Sequence, residues 1–186
     1  MLVDGRLYTV DEFLAECWTV NLSDVRKVVV HHTAEPTLEK WQKYGGWDYW
    51  SRVLKRYYES KGWTACPHVF VGDDGIGVLN PLDRPGRAVG GGYNERGLRH
   101  VEIVGNFNDD LPKGLLLHNA LCAIAILLRA AGLTVGQGLT NHTEVVGKGV
   151  TDCPGKKLLA EWNWFKTLVG GQWTAYMRAE DQHNLC

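Results

Sequence analysis

The period of the apolar positions changes several times along the chain, and each change marks an element. Val25–His31 (VRKVVVH) is β-branched and nearly continuous in its apolar character, which predicts a buried strand ending in histidine. Trp47, Trp50, Val53, Leu54, Tyr57 and Tyr58 follow i, i+3, i+7 spacing and predict an amphipathic helix that stops at Gly62. His68–Val71 and Ile76–Leu79 flank Gly72-Asp73-Asp74-Gly75, a hairpin signature. His100–Val104 reads as another strand. Pro112 suits the first turn of a helix over Lys113–Ala131, apolar nearly all round and therefore expected to be buried. Gly132–Gly138 reads as a turn or short strand and Asn141–Gly155 as a long loop. Lys156–Val169 reads as a last amphipathic helix carrying Leu158, Leu159, Trp162, Phe165 and Val169, with Gly170-Gly171 expected to break it. Near the start, Thr9-x-x-Glu12 is a capping box opening a short helix, Val10–Cys17.

Strands that interleave with helices predict the α/β class: a central mixed β-sheet flanked by helices on both faces. The expected division is an N-terminal helical extension (1–24) packed on the domain, the domain itself (25–169), and a C-terminal tail (170–186). Trp173 and Tyr176 of the tail are expected to pack back on the domain.

Composition narrows the function. A length of 186 residues suits one domain. Lys+Arg is 20 and Asp+Glu is 21, a net charge of -1, which argues against a polybasic grip on nucleic acid. The longest apolar stretch, Leu115–Ala131, holds His118, Asn119 and Arg129, too polar and short to insert in a membrane. The start, MLVDGRLYTV, has no basic n-region or apolar run, so cytoplasmic synthesis without a signal peptide is expected. The five cysteines (Cys17, Cys66, Cys122, Cys153 and Cys186) are odd in number and form no CxxC pair. That excludes a fully paired disulfide framework within one chain and predicts free thiols, with one disulfide left open. A monomer is expected.

Three residues are candidate metal ligands. His31 ends a buried strand, and His142 and Cys153 lie in the loop before the last helix. Imidazole and thiolate both suit zinc, and three protein ligands leave a fourth position for water. Spacing alone leaves a second account open, in which the histidines are core residues and the cysteine a small apolar one.

Four blocks of sequence add to this. Val28-Val29-Val30-His31-His32-Thr33-Ala34 resembles the opening motif of the zinc-dependent N-acetylmuramoyl-L-alanine amidases, the family that includes peptidoglycan-recognition proteins and phage lysozymes of amidase type. Gly62-Trp63 followed by Phe70-Val71-x-x-Asp74-Gly75 resembles its central block. Tyr93-Asn94 with Val101-Glu102-Ile103-Val104-Gly105-Asn106-Phe107 resembles the next. Asn141-His142-Thr143-Glu144 with Thr151-Asp152-Cys153-Pro154-Gly155 resembles the last. The blocks occur in family order.

The resemblance implies one Zn²⁺ held by His31, His142 and Cys153, and hydrolysis of the amide joining N-acetylmuramic acid to L-alanine. The implied partner is peptidoglycan or a soluble muropeptide. The setting is a phage endolysin acting at the cell wall, or alternatively a cytosolic recycling amidase. Glu102 is the candidate base: its strand segment Val101–Val104 is otherwise apolar, so its carboxylate needs a use or a partner such as Arg99. His68 stands where many members have tyrosine, and either hydrogen-bonds the water or oxyanion or is a core histidine. Thr151 stands where some members have an oxyanion-stabilising lysine; it carries no charge, and Lys148 or Lys156 are alternatives. Val89 stands near where the family often has histidine. His32 should point to the opposite face and be structural. Trp47, Trp50, Trp63 and Trp162 read as packing. Trp41 reads as a loop residue that either stacks on sugar or covers a core edge. Arg84, Arg87 and Arg96 either hold substrate carboxylates or are solvated loop charges.

Other readings stay open, among them a structural or polymerase-regulating interaction by the same fold, for which no residue identifies a partner, and two sharper rivals. One is a recognition module that binds peptidoglycan without cutting it. The other is a hydrolase using Cys153 as nucleophile and His142 as base.

Overall fold

The computed structural model describes residues 5–90, 92–94 and 97–183, with side chains described as far as Met177. Arg96 and Cys186 lie outside the described residues. Six described strands form one sheet in the order β1-β4-β3-β5-β2-β6. They are β1 (Arg6–Tyr8), β2 (Lys27–His32), β3 (Val69–Val71), β4 (Ile76–Val78), β5 (Leu98–Ile103) and β6 (Leu139–Asn141). The β1/β4 and β4/β3 pairs are antiparallel, whereas β3/β5, β5/β2 and β2/β6 are parallel. The predicted mixed sheet is therefore the architecture found.

The helices are α1 (Val10–Thr19), α2 (Leu38–Lys43), α3 (Gly46–Ser60), α4 (Gly114–Ala130), α5 (Val135–Gly138), α6 (His142–Val146), α7 (Lys156–Ala160) and α8 (Trp162–His183). α4 lies on one sheet face and is itself covered by α1 and α8. Sandwiched in this way, Ala120, Ala123, Ile124, Leu127 and Leu128 are all buried, which accounts for a helix with no polar stripe. Phe165 and Val169 of α8 complete that layer. On the other face α3 lays Trp47 against Phe70 and over Gly77. A Cβ at Gly77 would meet the Trp47 ring at 2.3 Å, so the strand must be bare there for the helix to dock.

Local signals set several ends. Thr9 and Glu12 form the expected reciprocal capping box. In the hairpin the Gly72 N–H donates to Gly75 O. Asp74 in that turn accepts from Trp41 Nε1–H at 2.9 Å and from the Trp47 amide at 2.7 Å, tying the turn to α2 and α3.

The structure corrects several expectations. α4 starts at Gly114 with Lys113 as its cap, so Pro112 lies ahead of the helix. Gly132–Gly138 holds the short helix α5, stabilised by a Thr134–Gln137 capping box. The supposed long loop begins with the end of β6 and contains α6. The last helix is two helices, and α8 runs through Gly170-Gly171 to His183. Trp173 and Tyr176 pack against the core from α8, which supplies burial that two glycines alone would not. Trp41 sits in a helix, 1% exposed and bonded to Asp74, so no sugar can stack on it.

Candidate metal centre and active-site cleft

Strand pairing brings the candidate residues together. In β2 and β5 His31 lies opposite Glu102 and Val29 opposite His100. Paired residues in adjacent strands share a face, and alternation then puts His100 and Glu102 on the face of His31. β6 runs parallel to β2 on the other side with Val30 opposite Asn141, so His142 emerges beside His31. Asn141 caps α6 by accepting from the Glu144 amide at 2.9 Å, which fixes where the chain turns after His142. Thr143 holds the returning loop: its hydroxyl donates to Cys153 O at 2.7 Å, and its amide donates there too.

The result is a compact donor set. One ligand atom each from His31, His142 and Cys153 lies within 4.8 Å of the others. His31 Nδ1 is 3.6 Å from Cys153 Sγ. A tetrahedral zinc site with bonds of about 2.0 Å to nitrogen and about 2.3 Å to sulfur needs an edge of about 3.5 Å, so the two atoms are spaced to share one ion. Their chemistry fits as well. Burial, followed by the neighbouring imidazoles, holds His31 well below the ordinary histidine value, and burial lowers His142. Both are thus kept neutral, the form that ligates. Burial, with the Glu102 charge adding to it, pushes the Cys153 thiol up to about 12. A thiol of that kind is a poor nucleophile at neutral pH and becomes a thiolate when a cation sits beside it. The donor set therefore suits zinc and disfavours a metal-free Cys–His hydrolase.

Glu102 stands where this cluster meets a cleft of about 470 Å³. Aromatic residues Trp50, Tyr57, Tyr58 and Trp63 line the cleft together with His32 and Arg87. Burial pushes the Glu102 carboxyl up to about 8. Arg99 is not its partner, because that guanidinium pairs with Asp24 at 2.8 Å and with Leu82 O. Trp50 packs against the core, stacked on Trp41, as expected, and also lines the cleft; Trp63, expected to be core packing, is a cleft residue. Arg87 stacks over Trp63 with its guanidinium carbon 4.0 Å from the ring centre, a cation–π contact that holds a positive charge at the cleft wall. Arg84 is exposed beside Asp83.

His68 is fully enclosed. Its Nε2–H donates to Arg84 O at 2.9 Å, and its Nδ1 accepts from the His100 amide at 3.0 Å. With both nitrogens engaged by the main chain, none is free for a water or an oxyanion, and the geometry is that of a core histidine. The Thr151 hydroxyl accepts from the Cys153 amide at 3.1 Å and so braces the ligand loop while retaining its own proton. Lys148 is exposed, and Lys156 pairs with Asp152 at the surface. His32 accepts from the Phe107 amide through Nδ1 while bordering the cleft. Val89 is buried with Val29 and Leu98 in a small second core. Asn94 accepts from the amides of Ala88 and Val89, which pins that loop. Cys17, Cys66, Cys122 and Cys153 are all free thiols.

His100 was missed in the sequence. Its signal is period two: it precedes Glu102 by two on one strand and must share its face.

This mixed sheet with its flanking helices is the amidase fold of the peptidoglycan-recognition-protein type. It is shared with the Drosophila protein PGRP-LB at a TM-score of 0.60, with 20% identity over 84% of this chain and 91% of that one. The catalytic domain of XlyA is similar at 0.59, with 24% identity over 79% and 87%. A mutant endolysin from Bacillus subtilis is similar at 0.59, with 26% identity over 79% and 86%. No curated protein sequence matches significantly. Residues 21–156 match the N-acetylmuramoyl-L-alanine amidase family, and the chain belongs to it. Among the described residues no helix is long and apolar enough to cross a membrane.

Proposed function

We propose that this protein is a zinc-dependent amidase that cleaves the bond between N-acetylmuramic acid and L-alanine in peptidoglycan. The observation that carries this reading is the spacing of His31, His142 and Cys153, with Glu102 joining them to the cleft. His31 Nδ1, a ring nitrogen of His142 and Cys153 Sγ would hold the ion. Zinc bound there supplies Lewis-acid chemistry, acidifying water and polarising an acyl oxygen.

The chain's own groups do the rest. A Glu102 carboxylate oxygen takes a proton from the attacking water and returns it to the amine nitrogen of L-alanine as that group leaves. Burial supports this assignment: it raises the carboxyl in the metal-free fold, and a cation beside it would favour the charged form that accepts a proton. The Thr151 hydroxyl, braced on the Cys153 amide, donates a neutral hydrogen bond toward developing negative charge. The aromatic walls exclude water and offer flat surfaces to substrate, and Arg87 offers a charge to a substrate carboxylate. The setting we propose is an endolysin, the activity named for the Bacillus subtilis protein that is 26% identical.

The test is metal content together with hydrolysis of purified peptidoglycan, before and after dialysis against chelator. One zinc per chain, with chelator-sensitive and zinc-restored release of stem peptides bearing a free L-alanine amine, is the expected result. Zinc without cleavage would identify a recognition module. Cleavage that survives chelation and yields to thiol alkylation would identify a cysteine hydrolase.

A further inference from the structure

Behind the ligand cluster lies a row of three imidazoles, the first two joined ring to ring and the third joined to the main chain of the second. His31 presents Nδ1 to Cys153, and its other nitrogen, Nε2, is 3.1 Å from His100 Nδ1. The His100 amide donates to His68 Nδ1, and His68 Nε2–H donates to Arg84 O. The His68 and His100 rings stack 5.7 Å apart at 23°. Gly86 closes the far end: a Cβ there would lie 2.2 Å from His68 Cε1, so the loop backbone is pressed against that ring. His100 is therefore held from behind by its main chain and by a ring that cannot retreat.

The tautomers follow from this geometry. An imidazole ligates through a nitrogen without a proton. For His31 that nitrogen is Nδ1, because Nε2 faces His100. A neutral His31 must then carry its proton on Nε2, and the 3.1 Å contact becomes Nε2–H donating to His100 Nδ1. His100 in turn carries its proton on Nε2. That atom is buried and has no hydrogen-bond partner. Leaving a buried N–H unpaired is unfavourable, and a phenylalanine would avoid the penalty. The opposite tautomer pair would put a proton on His31 Nδ1 and block ligation.

We infer that His100 is a positioning residue that orients His31 and fixes its tautomer so that Nδ1 is the metal-binding atom. The inference rests on the zinc reading above. It concerns a residue that touches neither substrate nor metal and that acts only through His31.

The test compares variants of the full chain for zinc affinity, by competition with a chelating dye, and for the visible spectrum of the Co²⁺-substituted protein. His100→Phe keeps a ring and removes the acceptor; His100→Leu is the second removal if the first does not fold. His100→Asn restores an acceptor, because Oδ1 of asparagine sits where Nδ1 sat. The expected result is zinc binding weakened 10- to 100-fold in the removal variants, with an altered Co²⁺ spectrum. His100→Asn should return to within about threefold of the parent with the parent spectrum. Parent-like affinity and spectrum in a folded removal variant would overturn the inference. So would equal losses in the Asn and Phe variants, which would make the position one of packing alone. A parent protein that binds no zinc would overturn the zinc reading itself and this inference with it, and is told apart by being seen before any variant is made.

Discussion

The two faces of β2 and β5 have opposite characters, although they are built from the same twelve residues. On one face Val28, Val30, Val101 and Ile103 are fully buried under α4. On the other, His31, His100 and Glu102 form a polar row between α3 and the ligand loop. The apolar face obtains its free energy from area removed from water, about 25 cal/mol per Å². The polar face gives some of that back by burying imidazoles and a carboxyl. Strand alternation is what lets one hexapeptide do both, and the first face makes the second affordable.

The largest separation between the faces should come from the ligands. His142→Ala removes one donor from the ion and should lower amidase activity at least about 10³-fold, while the chelated protein melts within a few degrees of the parent. Parallel loss of activity and of melting temperature in the chelated state would place His142 in the scaffold. Glu102→Ala should follow, with kcat down by about 10²- to 10⁴-fold and zinc content unchanged. Parent rates in that variant would remove Glu102 from the chemistry.

The apolar face should respond in the other currency. Ile124→Ala leaves a hole at a fully buried position of α4 and should lower unfolding free energy by about 2–5 kcal/mol. Its kcat per folded molecule should match the parent. Denaturant titration beside a kinetic assay checks both halves, and a kcat drop beyond about threefold, set against that stability loss, would show the faces to be coupled.

What could be read in the sequence divides along the same line. β2, α3, the β3–β4 hairpin and α4 carry their own period and were legible. β1 and β6 are three residues each, and exist because β4 and β2 offer edges to pair with. No local signal fixes such strands. α8 crosses Gly170-Gly171 because Trp173 and Tyr176 find core to pack on, a tertiary gain that outweighs about 1 kcal/mol of lost propensity per glycine. The cluster of His31, His142 and Cys153 was legible because the motifs that carry it come in order. His100 was not, because its role depends on the strand beside it. Trp63 reads as core since a cleft wall and a core share one composition, and Trp50 belongs to both.

The smallest effect is the most direct probe of what the polar face gives up. Burial raises the Glu102 carboxyl from the ordinary 4.5 to about 8 in the metal-free fold. Between those values the folded chain keeps a proton that the unfolded chain has released. Stability therefore falls as pH rises through this window, since the unfolded state binds fewer protons. Glu102→Gln carries no such proton. The metal-free variant should be more stable than the parent at pH 8, by on the order of 2 kcal/mol once solvent at the cleft border is allowed for. The gap should close below about pH 4.5, where both side chains are neutral in both states. Saturating zinc should narrow it at pH 8, because a cation beside the carboxylate favours its charged form. Thermal melts of parent and variant at the two pH values, with and without zinc, decide the matter. A gap that does not change with pH would mean that Glu102 is paired or solvated, and that the polar face costs the fold less than its burial implies.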